Sequence, residues 1–187
     1  MIKVITQPTI EPVSLAEAKD HLRIYHNEED TLIDSYVKAA RQYAEKVLTW
    51  RAFIKQTIRY SLDGFPAGNL ELPRPPLIEV DSVKYTKDGT ETTLTADVDY
   101  TVETGFEPGY IIPANSWPSA DKVTVEYKAG YGDTAADVPL EFKQGLLYLI
   151  AHFYEMREPI TLNLQPYKVP YTVEALLCAD RDWGVKN

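Results

Sequence analysis

Residues 27–60 read NEEDTLIDSYVKAARQYAEKVLTWRAFIKQTIRY, and the hydrophobic period of this stretch changes once, at Phe53. Before it, Leu32, Ile33, Tyr36, Val37, Ala40, Tyr43, Ala44, Val47 and Leu48 recur at helical spacing. Asn27 offers an N-cap, with Glu28, Glu29 and Asp30 at the positive end of the helix dipole. Lys38, Arg41 and Lys46 lie toward the negative end. The spacing therefore predicts a long amphipathic helix. From Phe53 to Tyr60 the residues are β-branched and aromatic, and Asp63-Gly64-Phe65-Pro66 stops them with a turn. Helix passes into strand within a few residues, which makes the fold α+β.

Toward the N-terminus, Ser14 followed by Glu17 forms a capping box, in which each side chain satisfies an orphan amide of a helix start. Leu15, Ala18 and Leu22 give that helix one apolar stripe ending near Ile24. Toward the C-terminus come short strands at Leu70–Leu72, Leu77–Tyr85, Thr92–Leu94, Tyr100–Val102, Tyr110–Ile112 and Val123–Tyr127, roughly six or seven in all. Asp88-Gly89 supplies a hairpin turn. Helix returns at Val138-Pro139, where proline suits the first turn, and runs through Leu140, Leu147, Ile150 and Tyr154. Pro159, Pro166 and Pro170 mark a loop, and Thr172 is placed to cap a last short helix through Leu177. Gly64, Gly68, Gly89, Gly105, Gly109, Gly130 and Gly132 all fall between Phe53 and Gly132. The expected architecture is a helical frame, the long amphipathic helix plus C-terminal helices, interrupted by an antiparallel β-rich insertion. Residues 1–52 and 133–187 would form the discontinuous helical domain, and 53–132 the β lobe.

The chain has 187 residues, 44% hydrophobic and 25% charged, enough for a packed core. Its 19 Lys and Arg stand against 28 Asp and Glu, a formal charge of -9. Such a balance disfavours gripping a phosphate backbone, which needs clustered cations. A single cysteine, Cys178, allows neither an internal disulfide nor a Cys-based zinc site. Met1 is not followed by a signal-peptide pattern, and no apolar run approaches the ~20 residues that span a bilayer. A soluble product made in the cytoplasm, without membrane association, is expected.

Motifs that might carry chemistry each have an ordinary explanation. Gly130-Tyr131-Gly132-Asp133-Thr134-Ala135 matches G-x-G-x-x-A, yet the following helix begins only after Pro139 and the preceding strand belongs to a meander. His152 and Glu155 share a helix face and Glu158 follows, but a zinc site needs three or four ligands, and His21 and His26 sit far off in sequence. Asp97, Asp99, Glu103 and Glu107 lack the calcium-loop spacing. Cys178 lies on the apolar side of a short helix, where a small core residue is the ordinary occupant. No catalytic constellation emerges, so no enzyme activity, cofactor or metal is expected. Thirteen tyrosines and three tryptophans are a high aromatic load, of a kind favoured at protein interfaces.

Several stretches, taken in order, resemble a known family. They are Pro12-Val13-Ser14-Leu15-Ala16-Glu17-Ala18-Lys19, Glu71-Leu72-Pro73-Arg74-Pro75-Pro76-Leu77, Ala129-Gly130-Tyr131-Gly132 with Asp137-Val138-Pro139, and Ala151-His152-Phe153-Tyr154-Glu155-Met156-Arg157-Glu158 followed by Val173-Glu174-Ala175-Leu176-Leu177. Together they resemble the head–tail connector (adaptor) proteins of long-tailed bacteriophages, prophages and gene transfer agents. The resemblance implies a structural protomer at the head–tail interface of a virion. It implies a ring, expected to be a dodecamer, that sits beneath the portal protein and extends the DNA channel. A downstream connector or tail protein would meet its other side, and DNA would pass without specific binding. An acidic lumen suits that passage, and a ring requires two different contact faces per protomer. The competing expectation is a stand-alone β-sandwich recognition module that binds a glycan or host surface through an aromatic groove. Tyr171, Val173, Leu176, Leu177 and Trp183 give the C-terminal end a large apolar load. Trp183, Gly184 and Val185 are accordingly the candidate interaction residues, docking on the portal or on a neighbouring subunit.

Overall fold

The computed structural model describes residues 1–156 and 171–177, and these divide into two compact units. One contains Met1–Thr9 and Arg51–Asp133; the other contains Ile10–Trp50 and the chain from Thr134.

The first unit is antiparallel β structure. Its strands are β1 (Ile2–Thr6), β2 (Gln56–Leu62), β3 (Leu70–Glu71), β4 (Leu77–Lys87), β5 (Thr90–Leu94), β6 (Tyr100–Glu103), β7 (Tyr110–Pro113) and β8 (Lys122–Ala129). A five-stranded sheet runs β1-β2-β8-β4-β5, and a three-stranded sheet runs β3-β7-β6. Central β8 alternates strictly: Val123, Val125, Tyr127 and Ala129 are buried, while the residues between them face outward. Ile58 of β2 and Val83 of β4 join that inner face, and Leu70, Leu72, Tyr100 and Ile111 cover it from the smaller sheet. Burial pushes the Tyr127 phenol well above its ordinary range, so it stays a neutral hydrogen-bond donor to the Pro73 carbonyl.

β1 departs from the sequence expectation, which assigned residues 1–52 to the helical frame. Ile2, Lys3 and Val4 pair in register with Tyr60, Arg59 and Ile58. Ile2-Lys3-Val4-Ile5-Thr6 is β-branched and alternates at its start, a short strand signal that the sequence expectation did not include, and the open edge of β2 supplies its partner. β2 also begins at Gln56 rather than Phe53, because Phe53 and Ile54 are buried beside the glycine turn at residues 130–132.

The second unit is helical: α1 (Leu15–Leu22), α2 (Asp30–Tyr43), α3 (Leu140–Glu155) and α4 (Tyr171–Leu177). The Ser14–Glu17 capping box is present, and Arg23 ends α1 in a left-handed conformation with φ of 59°. The Asn27 cap is not formed. α2 starts at Asp30 after Glu29, and Asn27 instead accepts a hydrogen bond from Lys19 Nζ at 2.8 Å. Ala44–Leu48 continues α2 as one π-helical turn, closed by the Thr49 amide on the Ala44 carbonyl. The wide turn changes which side chains face inward. Glu45 is buried, whereas Val47, expected on the apolar stripe, is 51% exposed. Thr172 lies inside α4 rather than capping it. Gly145 lets α4 approach α3, since a Cβ there would lie 2.6 Å from a Leu177 methyl.

Candidate functional site

The period-2 rule that buries alternate residues of the five-stranded sheet also decides what its other face carries. Lys3 of β1, Arg59 of β2, Lys84 of β4 and Lys122 of β8 all project outward, with Glu91 and Glu126 among them. They line an open groove of about 410 Å³. Arg59 is tied to Glu126 by two hydrogen bonds of 2.8 and 2.6 Å, and Lys84 meets Glu91 at 3.4 Å. Lys3 and Lys122 have no acidic partner among the described residues. Lys3 stands directly opposite Arg59 in the β1–β2 register, and like charges in that relation repel. Thus a chain of net charge -9 presents a groove with more cations than acids.

The acidic residues flagged in the sequence occupy the connection after β5 (Asp97, Asp99), the end of β6 (Glu103) and the connection from β6 to β7 (Glu107). Asp97 and Asp99 flank Val98, which is 68% exposed. Asp99 accepts the Thr95 amide at 2.7 Å and Glu103 accepts the Gly105 amide at 3.1 Å. Glu107 pairs with Arg51. Each carboxylate therefore faces its own partner or solvent, and no group of three metal-ligating side chains forms among the described residues. Burial, and then the charges of Asp97 and Asp99, hold the Tyr100 phenol above its usual pKa.

In the helical unit the polar anchor is internal. Arg41 donates from Nε to Glu11 at 2.6 Å and from Nη1 to Glu45 at 2.9 Å, with its side chain 4% exposed. Burial opposes the guanidinium charge, but the two carboxylates outweigh it and raise the pKa. Lys143 of α3 reaches Glu17 of α1 at 3.0 Å, and Tyr154 donates to Glu29. Edge-to-face pairs Tyr36–Tyr154 and Tyr43–Phe153 bring α2 and α3 together. Many of the tyrosines that suggested an interface are therefore packing residues.

The other candidates resolve in the same way. In the Gly130–Ala135 motif, the Gly130 amide already donates to the Pro76 carbonyl and the Tyr131 amide to that of Phe53, so neither is available to a phosphate. Gly130 has φ of 139°, and a Cβ there would meet the Ile54 carbonyl carbon at 2.6 Å. The glycine serves a close backbone approach. His152 lies against Phe153 and His21 is edge-on to Tyr148. Phe65 stacks on Trp117 at 4.4 Å, and the Trp117 N–H bonds the Gly68 carbonyl, so this aromatic cluster of the β unit is largely engaged in packing. Val173 and Leu177 are buried in the helical unit. Trp183, Gly184 and Val185, together with Glu158 and Cys178, lie outside the described residues. No helix among the described residues is long and apolar enough to cross a membrane.

Sequence reasoning missed the cationic groove because its members are scattered over residues 3–122 and form no basic run. The alternation Lys122-Val123-Thr124-Val125-Glu126-Tyr127-Lys128 was the available signal, because it sets one face apart.

The family described as phage gp6-like head-tail connector protein matches residues 12–91 of this chain. Among solved structures, a chain in the virion of a native gene transfer agent particle is 24% identical, with a TM-score of 0.79 over 95% of this chain and 93% of that one. A chain in the neck of an empty gene transfer agent particle, computed with C6 symmetry, is 24% identical with a TM-score of 0.76, covering 94% of each. Another, in the neck of a native particle computed with C12 symmetry, is 23% identical with a TM-score of 0.74, again covering 94% of each. The likeness extends along nearly the whole fold. No curated protein matches the chain.

Proposed function

We propose that this chain is a structural head–tail connector of a phage-like particle. In this reading, a helical frame of long α2 and the C-terminal helices is interrupted by the β-rich insertion, and copies form a ring beneath a portal. The ring extends the DNA channel, joins head to tail, and meets a downstream connector or tail protein on its far side. It has no catalytic role. The observation that carries the proposal is the fold itself, matched over 94% of the chain to a protein in a particle neck computed with C12 symmetry, alongside the connector family match over residues 12–91. The acidic balance suits a channel wall that must release DNA.

Docking by the C-terminal residues from about Asp182, with Trp183, Gly184 and Val185 as contacts, belongs to the same proposal. The decisive measurement is mass in solution, for the chain alone and mixed with the portal ring of its own particle. Assembly of a defined ring is expected, and a monomer under both conditions would overturn the connector reading. Deleting Asp182–Asn187 should leave the thermal midpoint nearly unchanged while weakening assembly on the portal. A truncated chain that unfolds, or that assembles as well as the full chain, returns Trp183 to ordinary packing.

A further inference from the structure

We infer that the cationic groove on the outer face of the five-stranded sheet is one half of a head-to-tail contact between copies of this chain. The other half is the acidic loop Asp97-Val98-Asp99 of the next copy. The inference rests on the ring reading above and names a surface that would build the ring.

Charge complementarity carries it. Lys3 and Lys122 project into the groove without an acidic partner among the described residues, and Lys3 also faces Arg59 across the β1–β2 register. Glu126 is engaged by Arg59, which leaves the Lys3 ammonium beside a like charge with no acid of its own among the described residues. In the same unit, Asp97 and Asp99 are exposed acids with no cationic partner within salt-bridge distance among the described residues. The Val98 side chain between them is 68% exposed. No ion pair joins groove to loop within one chain among the described residues. The two surfaces differ, as a heterologous contact demands, and such a contact repeated around an axis closes a ring. Duplex DNA is the weaker occupant. Arg59 and Lys84 already have Glu126 and Glu91 beside them, and a chain of net charge -9 repels a polyanion at range.

The test uses two full-length variants. Lys3→Glu with Lys122→Glu reverses the groove at positions whose side chains hold no ion pair among the described residues. Asp97→Lys with Asp99→Asn reverses the loop, and the carboxamide oxygen introduced at position 99 can still accept the Thr95 amide. Each variant alone should require roughly tenfold or more higher concentration than the native chain to assemble, as read by sedimentation. Mixed in equal amounts, the two should assemble again as an alternating ring, because every contact then joins opposite charges. Assembly of the Lys3→Glu/Lys122→Glu variant at the native concentration would overturn the inference and leave the ring reading standing. So would failure of the mixture to recover when both variants melt like the native chain. Retention of duplex DNA by the native chain, lost in the groove variant, would transfer the groove to nucleic acid. A native chain that stays monomeric alone and with its portal removes the ring reading as well.

Discussion

The Arg41 cluster of the helical unit and the outer sheet face of the β unit manage charge in opposite ways. In the helical unit, Arg41 is enclosed with Glu11 and Glu45, whereas Lys38–Asp34 stays at the surface. In the β unit the cluster between the sheets is apolar, built on Ile58, Val83, Val125 and Tyr127. Arg51, Gln56 and Arg74 are buried elsewhere in the unit, while Lys3, Arg59, Lys84 and Lys122 are displayed on one face of the sheet. Geometry explains the difference. A strand exports every second residue, so its charges reach solvent without competing for the core. The wide turn at Ala44–Leu48 brings Glu45 inward, where the Arg41 guanidinium offsets its charge. Burying a pair stakes stability on both partners, whereas displaying charge leaves stability to the core and frees the surface for contacts.

That contrast breaks first at Arg41. Arg41→Ala removes the guanidinium from two carboxylates, Glu45 buried and Glu11 mostly so, and should cost about 3 kcal/mol by denaturant unfolding. A loss below about 1 kcal/mol would mean that water reaches the pair and that the two units do not differ in this respect. In the β unit the matching lesion is apolar. Ile58 is fully buried between the sheets, and Ile58→Ala should cost about 3 kcal/mol through lost contacts and the cavity left behind.

The helix cap gives a smaller effect with a defined pH dependence. Burial raises the Glu17 pKa, but the hydrogen bonds from Ser14 and Lys143 outweigh it, so the folded value lies below the unfolded one. A depressed carboxylate contributes stability that is fully present above its unfolded pKa, near 4.5, and is lost as pH falls through the folded value. Ser14→Ala should cost about 1 kcal/mol at pH 7. The difference between Glu17→Gln and the native chain should shrink as pH falls below 4.5. A difference that grows on acidification would reverse the sign of this account.

Last, Lys122→Glu should change stability by no more than about 0.5 kcal/mol, since the side chain forms no ion pair among the described residues. A larger loss would show that the displayed charges hold the β unit together and would erase the contrast between the units.

The α+β character was legible because the hydrophobic period changes at Phe53, and local signals such as Ser14 with Glu17 and Asp88-Gly89 have local causes. Seven of the eight strands among the described residues followed from alternation, β propensity and turn residues. What escaped depended on a distant partner. Ile2–Thr6 is β-branched, but its place in the sheet is set by the edge of β2 that it pairs with. Asn27 is not a cap because Lys19 takes its side chain. Glu45 is interior because a π turn directs it toward Arg41. The cationic groove belongs to the same class, since strand pairing assembles residues 3, 59, 84 and 122 on one face. By itself the sequence determined most of the helices and strands, the overall negative charge, and most of the turns, because propensity, periodicity and capping act within a few residues. Only the tertiary structure decided which edge is paired, which charge is buried and which charges share a surface, because each of these is set by groups that meet only after the chain has folded.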